Sequence, residues 1–299
     1  MKPIVNLVLI ALTMLCASCT SDESGNLVEN NDGFAPVTVS VSGFKVEQGD
    51  IPTTRATAVS DYASVSFITL AFYASNGTEV YKHTQVRDDN TTYTTFGQFS
   101  TSLMYGNYTM VVLANTGGNA ITLTSPTVAT YGENMPMDTF VYTQAVNITN
   151  NTAVNLSATL DRIVTAVGVQ STDNRPAGVT HMRLTYSAGG KSFIPTTGLA
   201  TTNAGFSTTM SFPAATVGTT TYMGGYLFLN TDEQTIDVTI ETLDAENGNV
   251  LFSKTVNDVP LKRNRQTKLT GAIFSGTDVS ASGFEINSDW LTMQDPIAF

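Results

Sequence analysis

The clearest pattern along the chain is the alternation of apolar and polar residues. Val37-Thr38-Val39-Ser40-Val41 alternates strictly, as expected of a strand with one buried face. Similar short runs recur as far as residue 273, and the 3.6-residue period of an amphipathic helix is almost absent. Regularly spaced strands without helices are typical of β-sandwiches, so the pattern predicts an all-β fold.

In the first half of the chain, the pattern predicts strands that form one N-terminal β-sandwich over residues 36–158. A run at 65–73 is followed by the turn residues Ser75-Asn76-Gly77 and by renewed alternation at 79–83, which predicts a hairpin. Further predicted strands lie at 97–103, 107–115, 141–146 and 153–160.

The second half predicts a C-terminal β-sandwich over residues 159–275, followed by a tail at 276–299. An apolar strand at 160–169 opens this half, and its last predicted strand spans 265–273. The tail begins rich in glycine and serine and ends in strand-like segments. A strand that follows a finished domain must pair with its own sheet or with another subunit.

The N-terminus carries an export signal. The apolar run at 4–15 is shorter than the roughly 20 residues that span a bilayer, and Lys2 precedes it, so a secretory signal peptide is predicted. Ala17-Ser18 before Cys19 resembles the lipobox of bacterial lipoproteins. We predict a signal peptide at 1–18, lipidation of Cys19 with an acyl chain such as palmitate, and a flexible tether at 19–35. The alternative is an ordinary secretory signal cleaved nearby.

Composition narrows the range of functions. The net charge of −11 argues against nucleic-acid binding, which needs a basic patch. Both cysteines, Cys16 and Cys19, lie in the leader, which excludes a disulfide scaffold from the remainder. The two histidines, His83 and His181, fall in different predicted domains, so neither a catalytic triad nor a multi-histidine metal site is expected. We predict no enzyme and no cofactor.

Several short motifs occur together in an order that resembles one family. They are Thr54-Arg55-Ala56, Ser75-Asn76-Gly77, Tyr105-Gly106-Asn107-Tyr108, Leu160-Asp161-Arg162 and the segment 259–267. With the lipoprotein leader, they resemble the fimbrillin superfamily of Bacteroidota-type bacteria, which are lipoprotein subunits of surface pili (fimbriae). The similarity covers nearly the whole mature chain.

This resemblance implies two tandem transthyretin-like β-sandwiches and an assembly route. The precursor reaches the outer membrane and cell surface, attached through Cys19. An Arg-specific protease then cleaves between Arg55 and Ala56 and removes the first strand. A strand from a sister subunit fills the open groove by donor-strand exchange. The candidate donor residues in this chain are Phe284, Ile286, Trp290 and Leu291.

Other interpretations stay open at this point. Arg55 can equally be an ordinary loop arginine, the first strand can stay in its sheet, and the tail can pack on its own domain. The roles of stalk, tip and membrane-retained pilus anchor, and the adhesion ligand, are undecided. One rival is a surface glycan-binding lipoprotein with a stacking platform of Trp290, Tyr222, Tyr226 and Phe228. The weakest rival is a β-sandwich hydrolase. No carboxylate pair can be picked for it from the sequence, and nothing singles out Glu241 and Asp244, which lie on or beside a strand edge.

Overall fold

The part of the chain that the structure describes is built from strands, with one short 3-10 helix at Ala214–Thr216. The computed structural model describes residues 33–47, 54–89, 91, 93–275 and 285–291; of residues 46, 47, 54, 55 and 287–291 it describes the backbone alone. The strands are β1 Phe34–Glu47, β2 Thr54–Thr57, β3 Val65–Ala74, β4 Glu79–Val86, β5 Gln98–Met104, β6 Gly106–Thr116, β7 Thr122–Ser125, β8 Val128–Thr130, β9 Thr139–Ile148, β10 Val154–Arg162, β11 Thr165–Ser171, β12 His181–Tyr186, β13 Ser192–Ile194, β14 Leu199–Ala200, β15 Phe206–Ser211, β16 Tyr222–Leu227, β17 Glu233–Leu243, β18 Val250–Lys262, β19 Gln266–Gly271 and β20 Glu285–Leu291.

The largest sheet contains the first half of the chain. Its strand order is β2-β1-β10-β9-β6-β3-β4, and β5 also pairs with β1. All of these pairs are antiparallel except β1 with β10, which run parallel. β1, the first strand of this half of the chain, therefore lies beside β10, the last one.

The second half forms two facing four-stranded sheets, β16-β11-β19-β20 and β15-β12-β17-β18. Their inner faces share one apolar cluster, which includes Val167 and Leu269 from the first sheet and Leu184 and Ile240 from the second. A cluster enclosed between two sheets is the core of a β-sandwich.

A fourth small sheet, β14-β13-β8-β7, joins residues 122–130 to residues 192–200. It contributes to an apolar cluster that also contains Tyr73 and Leu113 from one face of the largest sheet and Phe228 after β16. The opposite face of the largest sheet carries its own cluster, with Leu70 and Phe72. β3 is thus buried on both faces, which explains its nearly continuous apolar sequence.

The all-β fold predicted from the alternation is confirmed. The hairpin of β3 and β4 turns at Ser75–Gly77, where Gly77 adopts a φ of 83°, a conformation that glycine favours. The division at residue 158/159 stays a prediction. The short strands β7, β8, β13 and β14 were not predicted, because two to four residues cannot display a period.

Candidate functional site: the groove filled by β1

The site that the sequence motifs single out centres on β1. Its inward side chains are Ala35, Val37, Val39, Val41 and Phe44, and each is at most 4% exposed. The intervening side chains are exposed or half-buried. The alternation read from the sequence therefore corresponds to one face that fills the core and one face that meets solvent.

Other strands pair with β1 on both sides. On one side β10 runs parallel to it, with Val37 opposite Val154 and Phe44 opposite Leu160. On the other side β5 runs antiparallel along the first half of β1, and β2 runs antiparallel along its end. β1 therefore occupies a groove whose two walls offer main-chain hydrogen-bonding groups, and whose floor is apolar.

The end of the groove is an aromatic and ionic cluster around Phe44. The ring centroid of Phe44 lies 4.9 Å from that of Phe140 and 5.5 Å from that of Tyr62. Behind these rings, the Arg162 guanidinium donates from Nε to Asp138 Oδ1 at 2.8 Å and from Nη2 to Asp138 Oδ2 at 2.7 Å. Tyr62 Oη donates to the same carboxylate at 2.9 Å and accepts a hydrogen bond from Arg162.

The Arg162–Asp138 pair is almost completely buried, with each side chain 2% exposed. Burial alone would lower the pKa of the Arg162 guanidinium. The charge of Asp138, the adjacent Tyr62 and the Asp138 hydrogen bonds outweigh this effect and raise that pKa above its usual value. The Arg162 guanidinium is therefore charged, and the two-point geometry of its contact with Asp138 fixes the side chains that hold Phe44.

A bulge near the end of β1 depends on Gly43. The register with β10 shifts between Val41 and Gly43, which brings Phe44 onto the inward face. A Cβ atom at Gly43 would lie 2.4 Å from the carbonyl oxygen of Thr57. Glycine is needed here because the main chain at the end of β2 approaches β1 too closely for a side chain.

The predicted cleavage position lies in a strand. Arg55 belongs to β2 and is registered opposite Val46 of β1, while Ala56 is exposed and opposite Lys45. A protease needs an extended, accessible backbone. Because β2 is four residues long and pairs with β1 alone among the described strands, its release breaks only a short ladder. Cleavage itself stays a prediction.

The predicted donor segment is also extended. β20 pairs antiparallel with β19, with Ile286 opposite Leu269, and it forms the edge of its sheet. Ile286 is 36% exposed. Trp290 and Leu291 lie in this strand, whereas Phe284 and Cys19 fall outside the described residues. Within this chain, the tail thus pairs with its own C-terminal sheet.

The candidate glycan platform does not exist as predicted. Tyr226 and Phe228 are 2% and 0% exposed, and both belong to an apolar core cluster. The two rings are core residues because they lie where three sheets meet, which spacing along the chain cannot reveal. Tyr222 is half-buried, with its hydroxyl bonded to Gln266.

The remaining candidate residues make ordinary structural contacts. Glu241 forms an ion pair with Arg183 at 2.6 Å, and the Asp244 carboxylate accepts hydrogen bonds from Asn249. His83 packs edge-on against Phe99 at 6.2 Å, and His181 Nδ1 lies 2.7 Å from Thr180 Oγ1. In the part of the chain that the structure describes, no group of three acidic or histidine side chains is placed to hold a metal ion. No helix in that same part is long and apolar enough to cross a membrane.

Comparison with known proteins places the chain in a family. A family model described as a family of unknown function, DUF6562, matches residues 34–292, and the chain belongs to this family. No match was found among curated proteins.

Three solved structures are similar over most of their length. A candidate adhesin from Bacteroides ovatus is 10% identical, with a TM-score of 0.51 over 85% of this chain and 92% of that one. A candidate adhesin from Bacteroides ovatus ATCC 8483 is 10% identical, with a TM-score of 0.48 over 81% and 88%. The fimbrial anchor protein from Porphyromonas gingivalis is 13% identical, with a TM-score of 0.44 over 87% and 99%. The first of these similarities establishes a shared fold.

Proposed function

We propose that this protein is a structural or adhesive subunit of a surface pilus, and not an enzyme. It is exported as an outer-membrane lipoprotein through Cys19 and assembles by donor-strand exchange after an Arg-specific protease cleaves at Arg55. Its partners are sister pilus subunits. The observation that carries the proposal is the position of β1, which lies in an apolar groove between two hydrogen-bonding walls.

Loss of β1 would leave a groove that must be filled again. Five inward side chains would leave the core, and the facing edges of β10 and β5 would lose their ladder partners. Unpaired strand edges next to exposed apolar surface bind extended chains readily. A groove of this kind selects a strand with alternating apolar side chains.

The C-terminal segment has the properties of such a donor. Its sequence places Phe284, Ile286 and Trp290 at alternating positions, interrupted by Ser288. β20 pairs along one edge alone among the described strands, so it can leave its sheet by breaking a single ladder. This asymmetry favours the tail as the segment that moves between subunits.

The first experiment follows processing. The mature chain is treated with an Arg-specific protease, and the products are examined by N-terminal sequencing and by electrophoresis without boiling. We expect a new N-terminus at Ala56 and a ladder of polymers. Arg55→Gln should block both, whereas the matched variant Arg263→Gln, in the turn before β19, should block neither. A cleaved chain that stays monomeric at high concentration would contradict the proposal.

The same sequencing, applied to protein from its native surface, distinguishes the anchor alternative. A lipid-blocked Cys19 would indicate a subunit retained in the membrane, and a free Ala56 would indicate a processed pilin. A chain that ends at Ser275 should be cleaved normally but form no polymers, because it lacks the donor segment.

Glycan binding is a second candidate function, supported by one cleft. A cleft of about 430 Å³ lies between β4 and β5, and its lining includes the half-buried Tyr81, His83 and Tyr93 with the polar Gln98 and Ser100. Its lining holds no Lys, Arg, Asp or Glu, which suits a neutral sugar. In a glycan array, Tyr93→Ala should lose binding, whereas Tyr105→Ala, a change at an exposed tyrosine elsewhere, should keep it. The absence of saturable binding by the unaltered protein would exclude this function.

A further inference from the structure

β5 forms one wall of the groove, and its position depends on β1, the strand that leaves after cleavage. Among the described strands, β1 is the only one that forms a ladder with β5. β10, the opposite wall, also pairs with β9, at Asp161 and Arg162, and so keeps a ladder at the Phe44 end of the groove. Cleavage at Arg55 would therefore remove the sole ladder of one wall, yet an incoming strand needs that wall in register.

One contact holds the beginning of β5 without β1. Gln85 lies on β4 and is 1% exposed. Its Nε2 donates to the carbonyl oxygen of Gln98 at 2.7 Å, and its Oε1 accepts from the backbone N–H of Gly97 at 2.7 Å. The side-chain amide thus bridges β4 to β5 where no ladder joins them, and β4 is held in turn by its ladder with β3.

A second contact holds the other end of the strand. The Tyr108 hydroxyl, on β6, donates to the carbonyl oxygen of Met104 at 2.7 Å. Tyr108 is 9% exposed, and β6 pairs with β3 and β9, both of which remain after cleavage. The side chains of Phe99 and Leu103 also pack into the core from β5, but apolar packing does not by itself fix hydrogen-bond register.

We infer that Gln85 and Tyr108 are positioning residues. After β1 has left, their hydrogen bonds keep β5 in place, so that an incoming strand can pair with it. This inference rests on the proposed strand exchange. In the uncut chain, β5 is held in register by seven paired positions with β1, from Phe34–Met104 to Ser40–Gln98, so its register does not depend on the two side chains. In the cut chain, they supply the hydrogen bonds that keep β5 at the groove.

The test uses the mature chain cleaved at Arg55, freed of β1 in mild denaturant and returned to buffer. The probe is a fluorescent peptide with the sequence of residues 34–47. Gln85→Met and Tyr108→Phe should each weaken peptide binding by about tenfold, because each removes hydrogen bonds worth about one power of ten in affinity. The double variant should bind the peptide roughly a hundredfold more weakly than the unaltered chain.

Two matched variants serve as controls. Gln170→Met removes hydrogen bonds to the carbonyl oxygens of Ser171 and Thr221 in the C-terminal half of the chain, and Tyr93→Phe removes one to Val86 of β4. None of these bonds holds β5 in the cut chain, so both variants should bind the peptide as the unaltered chain does. In the uncut chain, all four variants should stay folded, although Gln85→Met should lower the melting temperature because the buried N–H of Gly97 loses its acceptor.

Hydrogen exchange of the β5 amides in the cut chain gives an independent result. Protection should fall in the Gln85 and Tyr108 variants and persist in the controls. If all variants bind the peptide equally and protect β5 equally, the inference is overturned and strand exchange stands. If the unaltered cut chain refuses the peptide, strand exchange is overturned, and the exchange data alone then support or overturn the role of the two residues.

Discussion

β1 and β20 are both terminal strands with alternating sequences, yet their surroundings differ. β1 has ladders on both sides and an inward face that is almost fully buried. Among the described strands, β20 has one ladder and ends its sheet, and it leaves Ile286 partly exposed. The first strand therefore completes a core, whereas the last strand covers an edge. A strand like β1 leaves an open apolar groove when it departs. A strand like β20 is free to leave its own sheet and fill such a groove.

The largest expected effect comes from the buried end of β1. Phe44→Ala should lower the free energy of unfolding by about 3–5 kcal/mol, because it leaves a cavity between Tyr62 and Phe140. Phe34→Ala, at the opposite end of the same strand, removes a ring that is 45% exposed and should change stability by less than about 0.5 kcal/mol. Denaturant titration of the uncut chain measures both. Equal losses would show that β1 is not buried as described.

The second largest loss of stability is expected at the Arg162–Asp138 ion pair behind Phe44. Asp138→Asn should cost about 3 kcal/mol, because the buried Arg162 cation loses its counter-charge. Lys45→Met breaks the exposed pair of Lys45 with Asp161 at the same end of β1, and should cost less than about 1 kcal/mol. Similar values from denaturant titration would argue against a difference in burial between the two pairs.

A smaller effect is expected where the tail leaves its sandwich. The Asp173 carboxylate accepts hydrogen bonds from the backbone N–H groups of Ile273, Phe274 and Ser275 at 2.7–2.9 Å. Although burial raises the pKa of this carboxyl, those hydrogen bonds lower it more, so the net shift is downward. Asp173→Asn should cost about 1–2 kcal/mol at pH 7.

The sign of the pKa shift fixes how this difference varies with pH. A carboxyl with a lowered pKa in the folded state stabilises it above its ordinary pKa of about 3.9, and this stabilisation is lost as the pH falls through the lower folded value. The difference between Asp173→Asn and the unaltered protein should therefore be largest near neutral pH and shrink in acid. A difference that grew below pH 4 would contradict this account.

The smallest effect should come from β20 itself. A chain that ends at Ser275 should lose no more than about 1 kcal/mol, because an edge strand with one ladder and a partly exposed Ile286 contributes little to the core. Thermal unfolding of the two chains tests this. A loss as large as that of Phe44→Ala would mean that the tail is an integral strand and an unsuitable donor.

Some features of the site could be predicted from local sequence. The alternation at residues 37–41 identified β1 and its buried face, and the turn residues at 75–77 identified the β3–β4 hairpin. The tail was predicted to be extended, and β20 is. These features depend on residue order over a few positions, where the two-residue period of a strand is visible.

Other features had no local signal. The parallel pairing of β1 with β10 joins residues more than a hundred positions apart, and the hydrogen bond between Arg162 and Tyr62 spans a hundred positions. Gln85 looks like any polar strand residue in the sequence, but its side chain bridges two strands that form no ladder with each other. Tyr226 and Phe228 could be assigned to the core only once three sheets had been assembled around them.

By itself, the sequence determined that the chain is made of strands and which face of β1 is apolar, because both follow from the alternation of side chains along an extended backbone. Tertiary structure alone decided which strands flank β1, and that β20 lies at an edge. Strand pairing is a choice among distant partners, fixed by the combined packing of whole sheets and not by any short stretch of residues.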